Sequence, residues 1–431
     1  MPQLNAEELQ QRLCRRDPRL KSVIDNAYEK CILGRLRKPE GNLKRQWMAP
    51  GECYNGHWIW DSMFVADLLS FRPGNTEILR DAFRVYWDFQ DLWNPLVPDY
   101  ARDMIANNVK PQQFTPFSQS ECIIAWGMER IFNRTGDVTL INEGLDRLER
   151  YHNWYWRERD LHANGLITVG TYAPLLPESP YNRSAHDILQ SARYESFDFQ
   201  PPLDDLALTP HPLRGGPALY GNICLPDATA FLIQAERALS RLALRVGRPE
   251  LAERRQPYIE KAVDAMRRYM WDERYGMFLA VERDSRQKIA VPAVSGFIPL
   301  FAGVPTTEQA NRMAAEMERP DWATFLPLPT VARGDAHFDD DWGRHVGGCG
   351  IMWRGDVWNP VNYLICTGLR DYGYNKLSEK IAAATVENVI RNGLNERYHP
   401  DTGAPVGVAN LGMACTAVTM LFDEMLPSAT V

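Results

Sequence analysis

Helical periodicity is the feature that most restricts what this chain can fold into. Ile141, Leu145, Leu148, His152 and Tyr155 recur at three- and four-residue intervals, and Ile259, Ala262, Val263, Met266 and Met270 do the same. Such spacing lines apolar side chains along one face of an α-helix. Further helices are predicted over 77–93, 118–133, 223–246, 307–318, 357–371, 374–392 and 412–425. Several follow residues suited to capping: Asn75 or Thr76, Ser118, and Thr306 or Thr307. Segments alternating as a half-buried strand must are few, and MFLAVE at 277–282 is the best of them. The expectation is an all-α fold.

Between the helices lie long stretches rich in proline, glycine and aromatics, at 94–117, 162–222, 319–356 and 393–411. Loops of that length are usually functional or disordered, and their load of Trp, Tyr and Phe argues against disorder. No Ser/Gly linker or composition break divides the 431 residues. A single toroid of helix pairs over 1–431 accounts for this best. Residues 1–50 then form a helical lead-in, and 162–222 a long loop insertion at the active-site end.

Charge and composition narrow the function. The net charge is −7 and no basic run stands out, which argues against a nucleic-acid partner. No apolar stretch approaches bilayer length, so no membrane partner is expected. The eight cysteines are scattered without a C-x-x-C pair, and the N-terminus is polar and helix-like without an apolar signal region. Buried thiols in a cytoplasmic protein are the reading. The glycines of GLRDYG and LRGGPALYGN lack a following phosphate-loop lysine, so no cofactor is expected. The segment GDAHFDDDWGRH (334–345) gathers Asp335, His337, Asp339, Asp340, Asp341 and His345. It lacks the glycine and terminal glutamate of an EF-hand, and is read as an acidic loop bordering a pocket, with no metal assigned.

Two segments set carboxylates among aromatics. HWIWDSMF (57–64) places Asp61 beside Trp60, with Trp58 and Phe64 close by, and IMWRGDVWNPVNY (351–363) places Arg354 and Asp356 between Trp353 and Trp358. A pyranose offers an apolar C–H face for stacking and a rim of hydroxyls for polar side chains, so a sugar site is the first hypothesis. The alternative for the second segment is a helix N-terminus, with Asp356 serving the dipole and Trp358 in the core.

WIWDSMF, MWRGDVWNPVNYLI and NERYHPDTGAPVG together resemble glycoside hydrolase family 63 and its trehalase relatives. LPDATAFLIQAERALSRLA (225–243) and VPAVSGFIPLFAGVPTTEQANRM (291–313) are similar to that family's helix entries. The likeness runs from about residue 50 to 425, and its compactness is closest to the bacterial mannosylglycerate and glucosylglycerate hydrolases. It implies an (α/α)6 barrel and inverting hydrolysis of a short, usually α-linked, glycoside. Inversion needs a protonated acid for the leaving oxygen and an ionised base for water, roughly 6.5–9.5 Å apart.

The resemblance implies Asp198, in ARYESFDFQPP, as the general acid. Phe197 and Phe199 beside it suit a raised carboxyl pKa, while Glu195, Asp204 and Asp205 are rivals and an Asx turn before Pro201 is the structural alternative. It implies Glu396, in LNERYHPDTG, as the general base, with Tyr398 keeping the aromatic of the E-x-Y pattern. Trp60 and Asp61, flanked by Phe64, match the segment that holds the sugar in the −1 subsite. Gln119 matches a sugar-binding glutamine, although a capping role suits it nearly as well. Trp353, Arg354 and Trp358 match the second pocket wall, and Asp356 adds a third carboxylate where relatives carry proline. Met413 replaces a tryptophan of the family's tail, and ESFDFQPP lacks the usual D-N-S-P, so the sugar and linkage stay open. The trehalase signature Q-W-D-x-P-N-G-W is absent. Two other readings remain: a sugar isomerase or epimerase of the same barrel, and a carbohydrate-binding protein without catalysis. The expected partner is a small glycoside, and homo-oligomerisation is left open.

Overall fold

A computed structural model describes residues 6–93, 102–112, 122–160, 162–169, 223–336, 338 and 355–423. Among them are twelve α-helices: α1 (Ala6–Arg16), α2 (Leu20–Asn26), α3 (Ile59–Leu69), α4 (Thr76–Trp93), α5 (Ile124–Thr135), α6 (Val138–Glu158), α7 (Pro226–Arg245), α8 (Pro249–Ala265), α9 (Thr307–Met317), α10 (Asn359–Asp371), α11 (Asn375–Asn392) and α12 (Thr416–Phe422).

Six helical segments close an inner ring. Helix α3 packs on α5, α5 on α7, and α7 on a 3-10 segment at Val294–Leu300; that segment packs on α10, α10 on α12, and α12 returns to α3. Outer helices lie against them: α4 on α3, α6 on α5, α8 on α7 and α11 on α10, while α1 packs on α2 and α12. This is the (α/α)6 arrangement. Burial explains which helices lie inside. All eleven residues of α3 are buried, as expected of a helix enclosed by protein on every side. In α6, the stripe Ile141, Leu145, Leu148, His152 and Tyr155 is buried. Helix α9 opens with a capping box, in which Thr306 accepts from Gln309 N–H and the Gln309 side chain accepts from Thr306 N–H.

The ring's interior is filled edge to face by aromatics. Phe64 lies 4.8 Å from Trp60, 5.8 Å from Trp126 and 6.3 Å from Tyr363, and Trp60 lies 5.9 Å from Phe231, measured between ring centroids. Each such pair contributes about 0.5–1.5 kcal/mol beyond its buried area.

Two buried charge clusters tie the helices together. Asp67 of α3 and Asp423 after α12 share Arg130 and Arg134 of α5 and the Tyr363 hydroxyl of α10, which lies 3.1 Å and 2.9 Å from the two carboxylates. Burial opposes ionisation of Asp67, but the two guanidiniums outweigh it and hold its carboxyl below the usual range. Glu236 of α7 accepts from Arg255 at 2.8 Å on each oxygen and from Trp156 Nε1 at 2.6 Å, with His152 Nδ1 at 3.2 Å.

Several expectations are revised. Residues 59–69, absent from the predicted helices, form α3. The stretch 393–411, expected as loop, contains an antiparallel pair, Asn395–Tyr398 with Pro405–Ala409. MFLAVE forms two two-residue strands, Met277–Phe278 and Val281–Glu282. The helix expected from 118 begins at Ile124, and Ser118 lies outside the described residues. No helix among the described residues is long and apolar enough to cross a membrane.

Candidate active site

The starts of α3, α10 and α12 meet. Trp60, near the start of α3, donates its Nε1–H to Met413 Sδ at 3.1 Å, just before α12. Asn359, which opens α10, reaches Ala414 O at 3.4 Å. Asp61 lies in the first turn of α3, 9% exposed, where the helix dipole favours a carboxylate. The strand before it is anchored by His57, whose Nε2 lies 2.9 Å from Ala82 O. Burial pushes this imidazole down to about 4, so it is neutral and structural.

Glu396 is held against this end of the ring by the 395–409 hairpin. Asn395 pairs with Ala409 and Arg397 with Val406, so Gly407 and Val408 both oppose Glu396. This bulge curls one strand around the carboxylate. Gly407 takes φ +76°, and Val408 N–H donates to Glu396 Oε2 at 3.0 Å. Arg397 Nη1 lies 3.0 Å from the same oxygen. The Tyr54 hydroxyl lies 3.4 Å from Oε1, and its ring meets Trp58 edge-on at 5.8 Å. Tyr54 therefore bridges the aromatic segment 57–64 and Glu396.

Asp356 lies against Arg397. It is 1% exposed, and Arg397 Nε lies 2.8 Å from its Oδ2. The contact is a close ion pair whose N–H is not aligned for a hydrogen bond. The same guanidinium lies 5.6 Å from the Trp358 ring centre. The two segments are sewn together by Val357 N–H to Tyr398 O at 2.9 Å and Tyr398 N–H to Val357 O at 3.0 Å.

Of the residues expected to touch sugar, Trp60, Asp61, Asp356 and Trp358 stand around this end of the ring with Glu396. Phe64 is 0% exposed within the aromatic interior, and Tyr398, also 0% exposed, donates its hydroxyl to Gly393 O and accepts from Asn395 N–H. Asp198, its rivals Glu195, Asp204 and Asp205, and Gln119, Trp353 and Arg354 lie outside the described residues, as does most of 334–345. Among the described residues no acidic, histidine or cysteine cluster is suited to a metal. Sequence reasoning missed Tyr54 and Arg397. Arg397 adjoins the chosen base, but its second partner is some forty positions away, so spacing carried no signal for it.

The family model of the mannosylglycerate hydrolase MGH1-like glycoside hydrolase domain matches residues 54–414. The match spans both the aromatic segment and the hairpin that carries Glu396. The chain belongs to this glycoside hydrolase family. Among its relatives, mannosylglycerate hydrolase of Thermus thermophilus is 24% identical over 410 residues, covering 86% of this chain and 94% of the relative. The Rubrobacter radiotolerans mannosylglycerate hydrolase is 29% identical over 304 residues, 62% of this chain and 64% of the relative. The crystal structure of the family 63 mannosylglycerate hydrolase from Thermus thermophilus in complex with glucose superposes with a TM-score of 0.69 at 23% identity, covering 90% of this chain and 97% of that one. Neutral trehalase from Saccharomyces cerevisiae gives 0.62 at 18%, covering 89% and 74%. The structural likenesses establish the (α/α)6 fold of a family 63-type glycoside hydrolase, as the sequence resemblance implied.

Proposed function

We propose that this glycoside hydrolase cleaves a short α-linked hexosyl-glycerate, mannosylglycerate foremost, with inversion at the anomeric carbon. Glu396 is the general base and Asp198 the general acid, while Trp60 and Asp61 hold the sugar in the −1 subsite. Gln119, Trp353 and Arg354 complete the grip, and the 162–222 insertion delivers the acid to a single catalytic domain working in the cytoplasm. The choice of glycerate follows the names of the relatives. The observation that carries the assignment is the seat of Glu396: a bulged hairpin, a backbone N–H, a guanidinium and the Tyr54 hydroxyl all orient one carboxylate, and the Tyr54 ring ties it to Trp58 of the aromatic segment.

In the proposed step, Glu396 takes a proton from water as the water oxygen bonds to the anomeric carbon. Asp198 gives its proton to the departing glycerate oxygen as the glycosidic bond breaks. The test is hydrolysis of mannosylglycerate, glucosylglycerate and trehalose by the purified chain, with proton NMR of the first-formed sugar. β-Mannose as the first product of the α-linked substrate is expected. Asp198→Asn and Glu396→Gln should each lower kcat by about 10²–10⁴-fold. First-formed α-mannose, or full turnover in Glu396→Gln, would overturn the assignment.

A further inference from the structure

We propose that Arg397 is the positioning residue for the Glu396 carboxylate, and that Asp356 is the counter-charge setting how strongly that guanidinium acts on it. The inference rests on the reading of Glu396 as the general base, and it concerns how that base is held in its working form.

One guanidinium spans both carboxylates. Nη1 lies 3.0 Å from Glu396 Oε2, and Nε lies 2.8 Å from Asp356 Oδ2. Arg397, Asp356 and Glu396 are 6%, 1% and 3% exposed, so little water screens the three charges. The planar, rigid fork of arginine can address two acceptors at once, whereas lysine presents a single flexible ammonium. Trp358 flanks the guanidinium, and the Val357–Tyr398 backbone pair holds the two parent segments in register. Asp356 and Glu396 are thus mechanically coupled through one side chain.

The electrostatic consequence has a sign. A lone cation beside Glu396 favours its ionised form and also weakens it as a proton acceptor. A second carboxylate on the same cation offsets part of that effect. Among the described residues, the other titratable group in contact with Glu396 is Tyr54, at 3.4 Å from Oε1, and the opposing strand supplies only the Val408 N–H. Asp356 therefore acts on the base chiefly through Arg397.

The pH dependence of kcat/KM separates this from plain structural support. Its acid limb reports the base, and its alkaline limb reports the acid. In Arg397→Met, two carboxylates lose their shared cation. The acid limb should move up by about one pH unit or more, with kcat down on the order of 10²-fold from the loosened carboxylate. In Asp356→Asn, which keeps the shape of the side chain, the guanidinium loses this counter-charge and the acid limb should move down. Arg397→Lys should restore part of the rate. The alkaline limb should stay in place throughout, which general damage to the fold would not bring about. Should Arg397→Met fail to fold, Asp356→Asn and Arg397→Lys decide the matter alone. An unmoved acid limb in Asp356→Asn overturns the proposal. Glu396→Gln is measured alongside: if it stays active, the base assignment itself fails, whereas an inactive Glu396→Gln with unmoved limbs defeats only the role given to Arg397 and Asp356.

Discussion

Gly407 takes φ +76° directly across the hairpin from Glu396, and an added methyl group there would overlap Oε2. The same Cβ would come within 2.9 Å of Glu396 Cδ and 3.0 Å of Arg397 Nη1. Relief requires the carboxylate to swing away by about 1 Å, breaking its alignment with Val408 N–H. Left-handed backbone in alanine costs about 1–2 kcal/mol, and the lost hydrogen bond about 1 more. Gly407→Ala should therefore lower stability by roughly 2–3 kcal/mol. Displacing a catalytic group by that distance lowers the rate on the order of 10²-fold, so kcat on mannosylglycerate should fall about a hundredfold while KM changes little. Gly136→Ala is the control. It lies at φ +67° in the left-handed region just after α5, and its Cβ would find nothing within 4 Å. It should lose a similar 1–2 kcal/mol of backbone strain and keep most of its activity. Released mannose gives the rates, and thermal denaturation gives the stabilities. If the two variants lose activity equally, the close fit around Glu396 does not govern catalysis and the reasoning fails.

Other predictions concern the buried charges. Burial opposes the charge on Glu236, but His152 and Arg255 bring its carboxyl down to about 2, against 4.5 when unperturbed. A depressed folded value gives stability that is complete above the unfolded one and is lost as pH falls toward the folded one. Roughly 3 kcal/mol should thus disappear between about pH 5 and pH 2. Glu236→Gln takes the paired carboxylate from Arg255, which keeps Asn153 Oδ1 at 2.6 Å, and should lose about 3–5 kcal/mol at pH 7, with a flatter decline in acid. Urea denaturation at pH 7, 5 and 3 checks both, and parallel curves for the two proteins would rule the linkage out. Tyr363→Phe removes the hydroxyl shared by Asp67 and Asp423 and should lower stability by about 1–3 kcal/mol. An unchanged denaturation midpoint would show that hydroxyl to be dispensable.

The legibility of the fold followed burial. Outer helices such as α6 and α8 each keep one face wet, so their apolar stripes stood out at helical spacing. Helix α3 has no wet face, so Ile59–Leu69 carries no periodic signal despite lying at the centre of the fold. The strand Asn395–Tyr398 failed for the same reason, because all four residues are buried and alternation is absent. Its partner contains Pro405 and Gly407, which read as loop punctuation. Within the candidate site, Trp60, Asp61 and Glu396 are proposed from their motifs. Roles that depend on pairing across distant segments were not legible: Tyr54 with Glu396, Arg397 with Asp356, and the diversion of the Tyr398 hydroxyl to the backbone.

The inner ring has a seam where its last member meets its first. Asp423 reaches Asp67 across it through Arg130, Arg134 and Tyr363, and Met413 meets Trp60 nearby. A ribosome must therefore reach residue 423 before the cylinder can shut, and the earlier helices wait with their apolar inner faces open. Such late, long-range closure makes for slow folding and exposure to aggregation. It also makes the clasp at 67, 130, 134, 363 and 423 the latch on which the completed enzyme depends.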